Sequence, residues 1–207
     1  KDAQFESLGS NIIIVMPGSF GDSQGGGISG PPNYQGSKLK LTYIRDLEKL
    51  GPEITAVAPI FETSTKVIYQ KNSKSTIMLA TTENYTKVRN LKIASGRWLK
   101  KTDLNASAKV AVIGPSLAEK LFGNLKPLGK QISISQRRFE VVGISEKYGS
   151  MLGIDIDNAI YIPITTAQKV IGFDNLMQIM IKVKKQRSNY SNSKFSQKLF
   201  STKTDQG

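Results

Sequence analysis

The sequence predicts an α+β fold in which strand-helix units and hairpins build mixed sheets. Three observations predict it. Short β-branched runs, Asn11 to Met16 and Lys109 to Ile113, have strand length. Apolar residues recur at helical spacing and stop at glycine, as Leu117, Leu121 and Phe122 do before Gly123. Paired alternating runs, Gln131 to Ile134 and Phe139 to Ile144, read as a β-hairpin.

Taken in order, the first strand closes at Pro17-Gly18. Gly, Ser, Pro, Asn and Gln then dominate residues 18–36, which offer almost nothing to bury and predict a flexible Gly-rich loop. Thr42 is expected to be the hydroxyl N-cap of a helix with Tyr43, Leu47 and Leu50 on one stripe, stopped by Gly51-Pro52. Ile54 to Phe61 and Lys66 to Tyr69 predict strands, Asn72-Ser73-Lys74 a hairpin turn, and Thr76 to Thr81 the returning strand. Tyr85, Val88 and Leu91 predict a second short helix, and Ile93 to Leu99 an irregular connector. Ser116 and Glu119 have the spacing of a capping box for the helix that follows Gly114-Pro115. The later hairpin is expected to turn around Arg137-Arg138. Ala159 to Ile162 reads as a strand, Thr165 and Gln168 as caps of a helix ending at Gly172, and Met177 to Val183 as the last strand. From Lys184 the chain is basic and Ser/Asn-rich, predicting a frayed tail or a short helix over Phe195, Leu199 and Phe200.

Apolar residues make up 39% of the 207 and charged residues 22%, which is globular composition. No apolar run approaches the roughly 20 residues that cross a bilayer, and the opening Lys1 to Ser7 lacks the pattern of a signal peptide. The chain has no cysteine and no histidine, so disulfides and thiolate metal sites are excluded and a zinc site nearly so. The net charge of +13 is attracted to anionic lipid, cell-wall polymer, nucleic acid or an acidic protein, and equally keeps a surface solvated.

Three local patterns suggest chemistry and fail on context. Gly25 to Gly30 fits the dinucleotide fingerprint, but Pro31-Pro32 follows where a helix must begin. Gly21 to Gly25 puts Ser23 in a nucleophile-elbow pattern with no histidine to act as base. Asp155 and Asp157 resemble the start of a calcium loop, yet Ile160 and Thr166 stand where the glycine and the closing glutamate belong. Nucleic-acid binding is not expected, because the lysines are scattered and the aromatic residues sit in core-like patterns. No catalytic, cofactor or metal residue is assigned, and partner-binding residues are left unknown.

Several segments in fixed order resemble one family. They are Leu8 to Gly18, the glycine-rich loop, Leu41-Thr-x-x-x-Asp46-Leu, Thr55-Ala-Val-Ala-Pro59, Gly96-Arg-Trp-Leu99 and Val110-Ala-Val-Ile-Gly114. The most specific run from Leu117-Ala-Glu-Lys-Leu-Phe-Gly123 through Pro127-Leu-Gly-Lys130 to Phe139-Glu-Val-Val-Gly-Ile144, and Ile160-Tyr-Ile-Pro163 with Thr165-Thr-Ala-Gln168 closes the series. Together they are similar to the extracytoplasmic core domain of MacB-type, FtsX-related ABC transporter permeases.

The resemblance implies two lobes. A porter-like lobe with a mixed sheet would comprise residues 1–75 and 155–207, with a mainly β, Sabre-like lobe, 76–154, inserted between its halves. It implies a domain outside the membrane that does no chemistry and needs no cofactor, coupling cytoplasmic ATP hydrolysis to efflux of a drug, an antimicrobial peptide or similar. The implied partners are a membrane fusion (adaptor) protein, a cytoplasmic ABC ATPase and a second permease copy, with anionic lipid or cell-wall polymer for the basic surface. The alternatives are an FtsX or lipoprotein-release type domain that regulates an envelope protein and, more remotely, a soluble enzyme or polyanion-binding module. The lysine- and asparagine-rich style without cysteine suits a bacterium with a single membrane.

Overall fold

Two groups of strands meet on one long strand, β2 (Ile54–Tyr69), of 16 residues. The computed structural model describes residues 11–15, 40–49, 51–151, 154–173 and 176–184. The glycine-rich loop with Ser23 and Gly25 to Gly30, and the tail from Gln186, lie outside these. The first half of β2 pairs antiparallel with β11 (Gln178–Val183), which pairs in turn with β1 (Ile12–Val15). Its second half pairs antiparallel with β3 (Asn72–Thr81).

From β3 the ladders continue around a ring. β3 is parallel to β10 (Ala159–Pro163), β10 antiparallel to β5 (Val110–Ile113), and β5 parallel to β7 (Arg137–Ser145). β6 (Gln131–Ile134) forms a hairpin with β7 and returns to β2 through Val67↔Ile134 and Ile68↔Ser133. The six strands β2, β3, β10, β5, β7 and β6 therefore close on themselves. β4 (Ile93–Gly96) pairs with β7 beyond β6, and β8 (Ser150–Met151) pairs with β9 (Ile154–Asp155) as a separate ribbon.

Because alternate side chains of a strand point to one face, the register sends one set into the ring. Val67, Met78, Ile113, Ile132, Ile134, Phe139, Val141 and Ile160 are each at most 1% exposed. They fill the interior as in a small barrel, leaving a packed core and not a channel. Helix α4 (Pro115–Phe122) adds Leu117 and Leu121 to that core, and its Phe122 ring lies 4.3 Å from the Tyr69 ring. The same cluster extends under α1 (Thr42–Glu48), which packs on β2, and α5 (Ile164–Ile171). The opposite face, with Ala58, Ile60, Leu79, Val112 and Met180, is covered by α2 (Tyr85–Arg89). Helix α3 (Lys101–Ala106) packs on α5. No helix among the described residues is long and apolar enough to cross a membrane.

Most expected elements exist, but the two strands expected over Ile54 to Phe61 and Lys66 to Tyr69 are one continuous strand, β2, and most other departures lie at element ends. The β2-β3 turn is Gln70-Lys71, two residues before the expected one, because the ladder runs unbroken to Tyr69↔Asn72. The β6-β7 turn is Ser135-Gln136, with φ of 48° and 62°, so both residues take the left-handed conformation that matches strand twist. Thr42 does not cap α1, since Leu41 holds that position in a helical conformation with no side-chain cap bond. The Ser116-Glu119 capping box is absent. Gly114 is the N-cap and Pro115 occupies the first turn, where its missing N–H costs nothing. Pro163 precedes α5, and Thr165 is spent elsewhere, its hydroxyl donating to the Leu104 carbonyl at 2.7 Å. The connector at 93–99 contains β4, and α3 after it has no counterpart in the expectations.

Gly114 carries a constraint that its sequence context does not reveal. A Cβ there would lie 2.3 Å from the Asp157 carbonyl oxygen, so β5 can approach the turn before β10 only without a side chain. Gly114→Ala is expected to lower stability by about 2 kcal/mol or more. Urea denaturation checks this: an unchanged midpoint would mean that the turn yields.

Candidate functional site

The motif segment Gly96 to Leu99 builds the best-connected polar cluster. Gly96 has φ of 74°, and a Cβ on it would meet the Val142 carbonyl oxygen at 2.3 Å. That close approach carries the chain over β7, and Arg97 donates its backbone N–H to the Val142 carbonyl at 2.9 Å. The Arg97 guanidinium then grips Asp103 with two bonds, 2.7 and 3.1 Å. Asp103 also accepts the Lys100 backbone N–H at 2.8 Å, fixing the first turn of α3.

Burial of the Asp103 carboxyl works to raise its pKa, but the hydrogen bonds from Arg97 and Lys100 outweigh it and hold the group below its ordinary value. Trp98 continues the cluster on the other side. Its ring stands edge-on to Tyr161 at 5.2 Å and stacks near Tyr85 at 5.9 Å. Burial raises both tyrosines, and Tyr161 goes well above the ordinary phenol value.

The two aspartates that resemble a calcium loop separate in the fold. Asp155 is exposed, whereas Asp157 is 3% exposed and accepts the backbone N–H groups of Tyr148 and Gly149 at 2.7 and 3.0 Å. Asp157 is thus a clasp for the loop before β8. Among the described residues no three metal-ligating side chains come together.

Two surfaces among the described residues are open to a binding partner. An open groove of about 970 Å³ runs between α1, α3 and α5, lined by Arg45, Glu48, Lys101, Asn105, Gln168 and Lys169 among others. Its charges are mixed, and neither histidine nor cysteine exists in the chain to serve as base or nucleophile there. The second surface is the end of the ring where the β2-β3 and β6-β7 hairpins turn, which carries exposed lysines and arginines.

The family described as "MacB-like periplasmic core domain" matches residues 2–189. The chain belongs to this family. Among curated relatives, the macrolide export ATP-binding/permease protein MacB of Chlorobium luteolum is 28% identical over 186 residues, 88% of this chain and 27% of that protein. The protein of the same name from Wolinella succinogenes is 30% identical over 185 residues, again 27% of its length. The chain thus spans about a quarter of the relatives it matches. The crystal structure of the periplasmic region of MacB from Actinobacillus actinomycetemcomitans superimposes with a TM-score of 0.73 at 24% identity, covering 96% of this chain and 85% of that one. The extracellular domain of the noncanonic ABC-type transporter YknZ from Gram-positive bacteria gives 0.64 at 19% identity, covering 77% of each. Both share the fold. The relatives are named as transporter permeases.

Within the MacB-like family the quoted segments acquire physical roles. Gly96-Arg-Trp-Leu99 is the bend and clamp over β7, and Gly114 is the close approach to Asp157. Leu117 to Gly123 is the helix that packs against the ring. The polar hub Arg97-Asp103 was not legible beforehand as a pair. The signal available was Asp103 three residues after Lys100, the position from which a carboxylate caps a helix start.

Asp103→Asn removes a charge and leaves Arg97 unmatched, and should cost about 1 to 3 kcal/mol, since Arg97 keeps 34% of its side chain exposed. As the folded pKa is lowered, this contribution is present at neutral pH and is lost as pH falls through the folded value. Urea midpoints of the parent and variant should therefore converge in acid; a gap independent of pH would refute the ion-pair account. The buried phenols act with the opposite sign, because their raised values hold protons in the folded state. Alkaline titration by ultraviolet absorbance should find Tyr85 and Tyr161 un-ionised past about pH 10, where an exposed tyrosine ionises, until the chain unfolds.

Proposed function

We propose that this chain is the extracytoplasmic domain of an ABC efflux permease, coupling ATP hydrolysis on the cytoplasmic side to extrusion of substrate through an adaptor protein. The observation that carries the reading is the adjacency of β1 and β11. Ile12 faces Lys182 across the ladder, and Val183 donates to the Asn11 carbonyl at 2.9 Å. A domain held between two membrane helices needs its entering and leaving strands side by side at one edge, and these are. Lys184 donates to the Glu53 carbonyl at 2.8 Å, which ties the same edge to the start of β2. Movement of the helices at that edge is then transmitted along β2 to the far end of the ring.

In this reading residues 1–75 and 155–207 are the porter-like lobe and 76–154 the inserted lobe, with the boundary inside β3 and the closed ring shared between them through the β10-β5 and β2-β6 pairings. An insertion requires its entry and exit to meet. Thr76 donates its hydroxyl to the Asn158 carbonyl, and Ile77 pairs with Ala159. The relatives' names point to macrolides as the first substrates to try, with a second permease copy and an ATPase completing the transporter. The side of the membrane follows the family's description as periplasmic, with an extracellular position in a single-membrane cell.

The test uses the full-length permease with its ATPase and a candidate adaptor, expressed in cells stripped of their own macrolide exporters. Macrolide tolerance should rise several-fold with all components and return to background without the adaptor. Tolerance unchanged across a panel of macrolides and peptides, with the ATPase active, would overturn the efflux reading.

A further inference from the structure

The two hairpins that close the ring turn at the same end and bring five cations together. Val67 faces Lys74 on one side and Ile134 on the other, and Ile134 faces Arg137. One row across the sheets therefore reads Lys74, Val67, Ile134, Arg137, with its outer members about 14 Å apart at ordinary strand spacing. The neighbouring row reads Ser73, Ile68, Ser133, Arg138. Lys66, two residues before Ile68, is on the same outer face as Arg138, whereas Lys74 and Arg137 share the face of Val67, so the cations lie on both sides of the rim, with Lys71 in the turn itself. All five cations are exposed, and none forms an ion pair with a described residue. No acidic residue occurs from Ser64 to Thr81 or from Lys130 to Phe139; the nearest in these strands are Glu62 and Glu140.

The chemistry between the cations narrows the ligand. Serines 73, 75 and 135 and Gln136 are exposed, and Ile68, at 39%, is the exposed large apolar residue there. A protein partner would call for an apolar, aromatic centre to the patch, and Tyr69 and Phe139 are buried. Nucleic-acid strands would call for exposed rings on which bases stack. Cations spaced among hydroxyls and amides suit repeated phosphates joined by polyols. The position also argues against a bilayer surface. β2 can span roughly 50 Å at ordinary rise per residue, and its other end lies beside β1 and β11.

We propose that the tips of the β2-β3 and β6-β7 hairpins form a binding surface for a polyol-phosphate polymer of the cell envelope. The exclusion of a bilayer rests on the proposed membrane attachment at β1 and β11, whereas the surface itself is read from charge and register and its test does not depend on the efflux reading. Fluorescence anisotropy of labelled synthetic poly(glycerol phosphate) with the 207-residue chain, at about 0.1 M salt, measures it. The variant carrying Lys66→Gln, Lys71→Gln, Lys74→Gln, Arg137→Gln and Arg138→Gln should bind roughly tenfold or more weakly. A control that removes equal charge elsewhere, by Gln at Lys40, Lys49, Lys87, Lys101 and Lys184, should stay within about twofold. The pair Lys71→Gln and Arg138→Gln, with an unchanged thermal midpoint, should give an intermediate loss. Equal losses in both five-site variants, or none in the first, would overturn the proposal, because binding would then be diffuse or lie elsewhere. Tighter binding of polyglutamate or of single-stranded DNA with matched charge would also overturn it, pointing to an acidic protein or a nucleic acid instead.

Discussion

Closure of the ring through Val67 and Ile134 is the constraint on which the remaining packing rests. β2 must be long enough to pair with β11 at one end and with β6 at the other, and it must keep one register throughout. A slip of one residue would turn Val67 outward and expose it. It would also bring Ile68, now on the outer face, into the core beside Ile134. Closure protects β3, β10, β5 and the second half of β2 from free-edge pairing. Within the large sheet the terminal strands of the pairing order are β1 and β4, and the β8-β9 ribbon stands apart.

A filled ring explains why the polar detail lies outside it. The interior is filled by apolar side chains, Phe139 among them, and α4 packs against it. On the outer face the chain must pass from β4 over β7 and from β9 back into β10. At those passages backbone contacts are close enough that Gly96 and Gly114 have no room for side chains. The Arg97-Asp103 pair and the Asp157 clasp hold the same passages by hydrogen bonds to backbone and side chain. Such contacts fix both passages against the sheet.

The sequence reveals features that depend on local pattern and conceals those that depend on distant partners. The run from Lys109 through Gly123 is legible because strand length, a Gly-Pro break and a helical stripe occupy adjacent residues. The hairpin between Gln131 and Ile144 is legible from alternation. Its turn is not, because Ser135-Gln136 takes a conformation usually marked by Asn or Gly. Thr165 has the composition of a cap, and only the proximity of α3 diverts its hydroxyl to Leu104. Ring closure leaves no signal at all in the sequence, since Val67 and Ile134 are joined across 67 positions by register alone. The candidate surface at the hairpin tips is hidden for the same reason: Lys74 and Arg137 are unremarkable singly and join one row across the sheet only when β6 reaches β2.

The treatment of charge differs between the two ends of that same scaffold. Arg97, where the chain needs a fixed passage, is paired with a carboxylate and spends its donors. The cations of the hairpin tips form no ion pair with a described residue, in a chain of net charge +13 where each adds to self-repulsion. The turns between them add a further cost. Gln70, Ser135 and Gln136 all have positive φ, at 51°, 48° and 62°. A non-glycine residue in that region costs about 1 kcal/mol, which glycine would avoid. Stability alone would favour glycine in the turns and acids beside the lysines. Polar side chains stand in these turns among cations that pair with no described residue, an arrangement that folding alone does not call for and that the proposed binding surface would use.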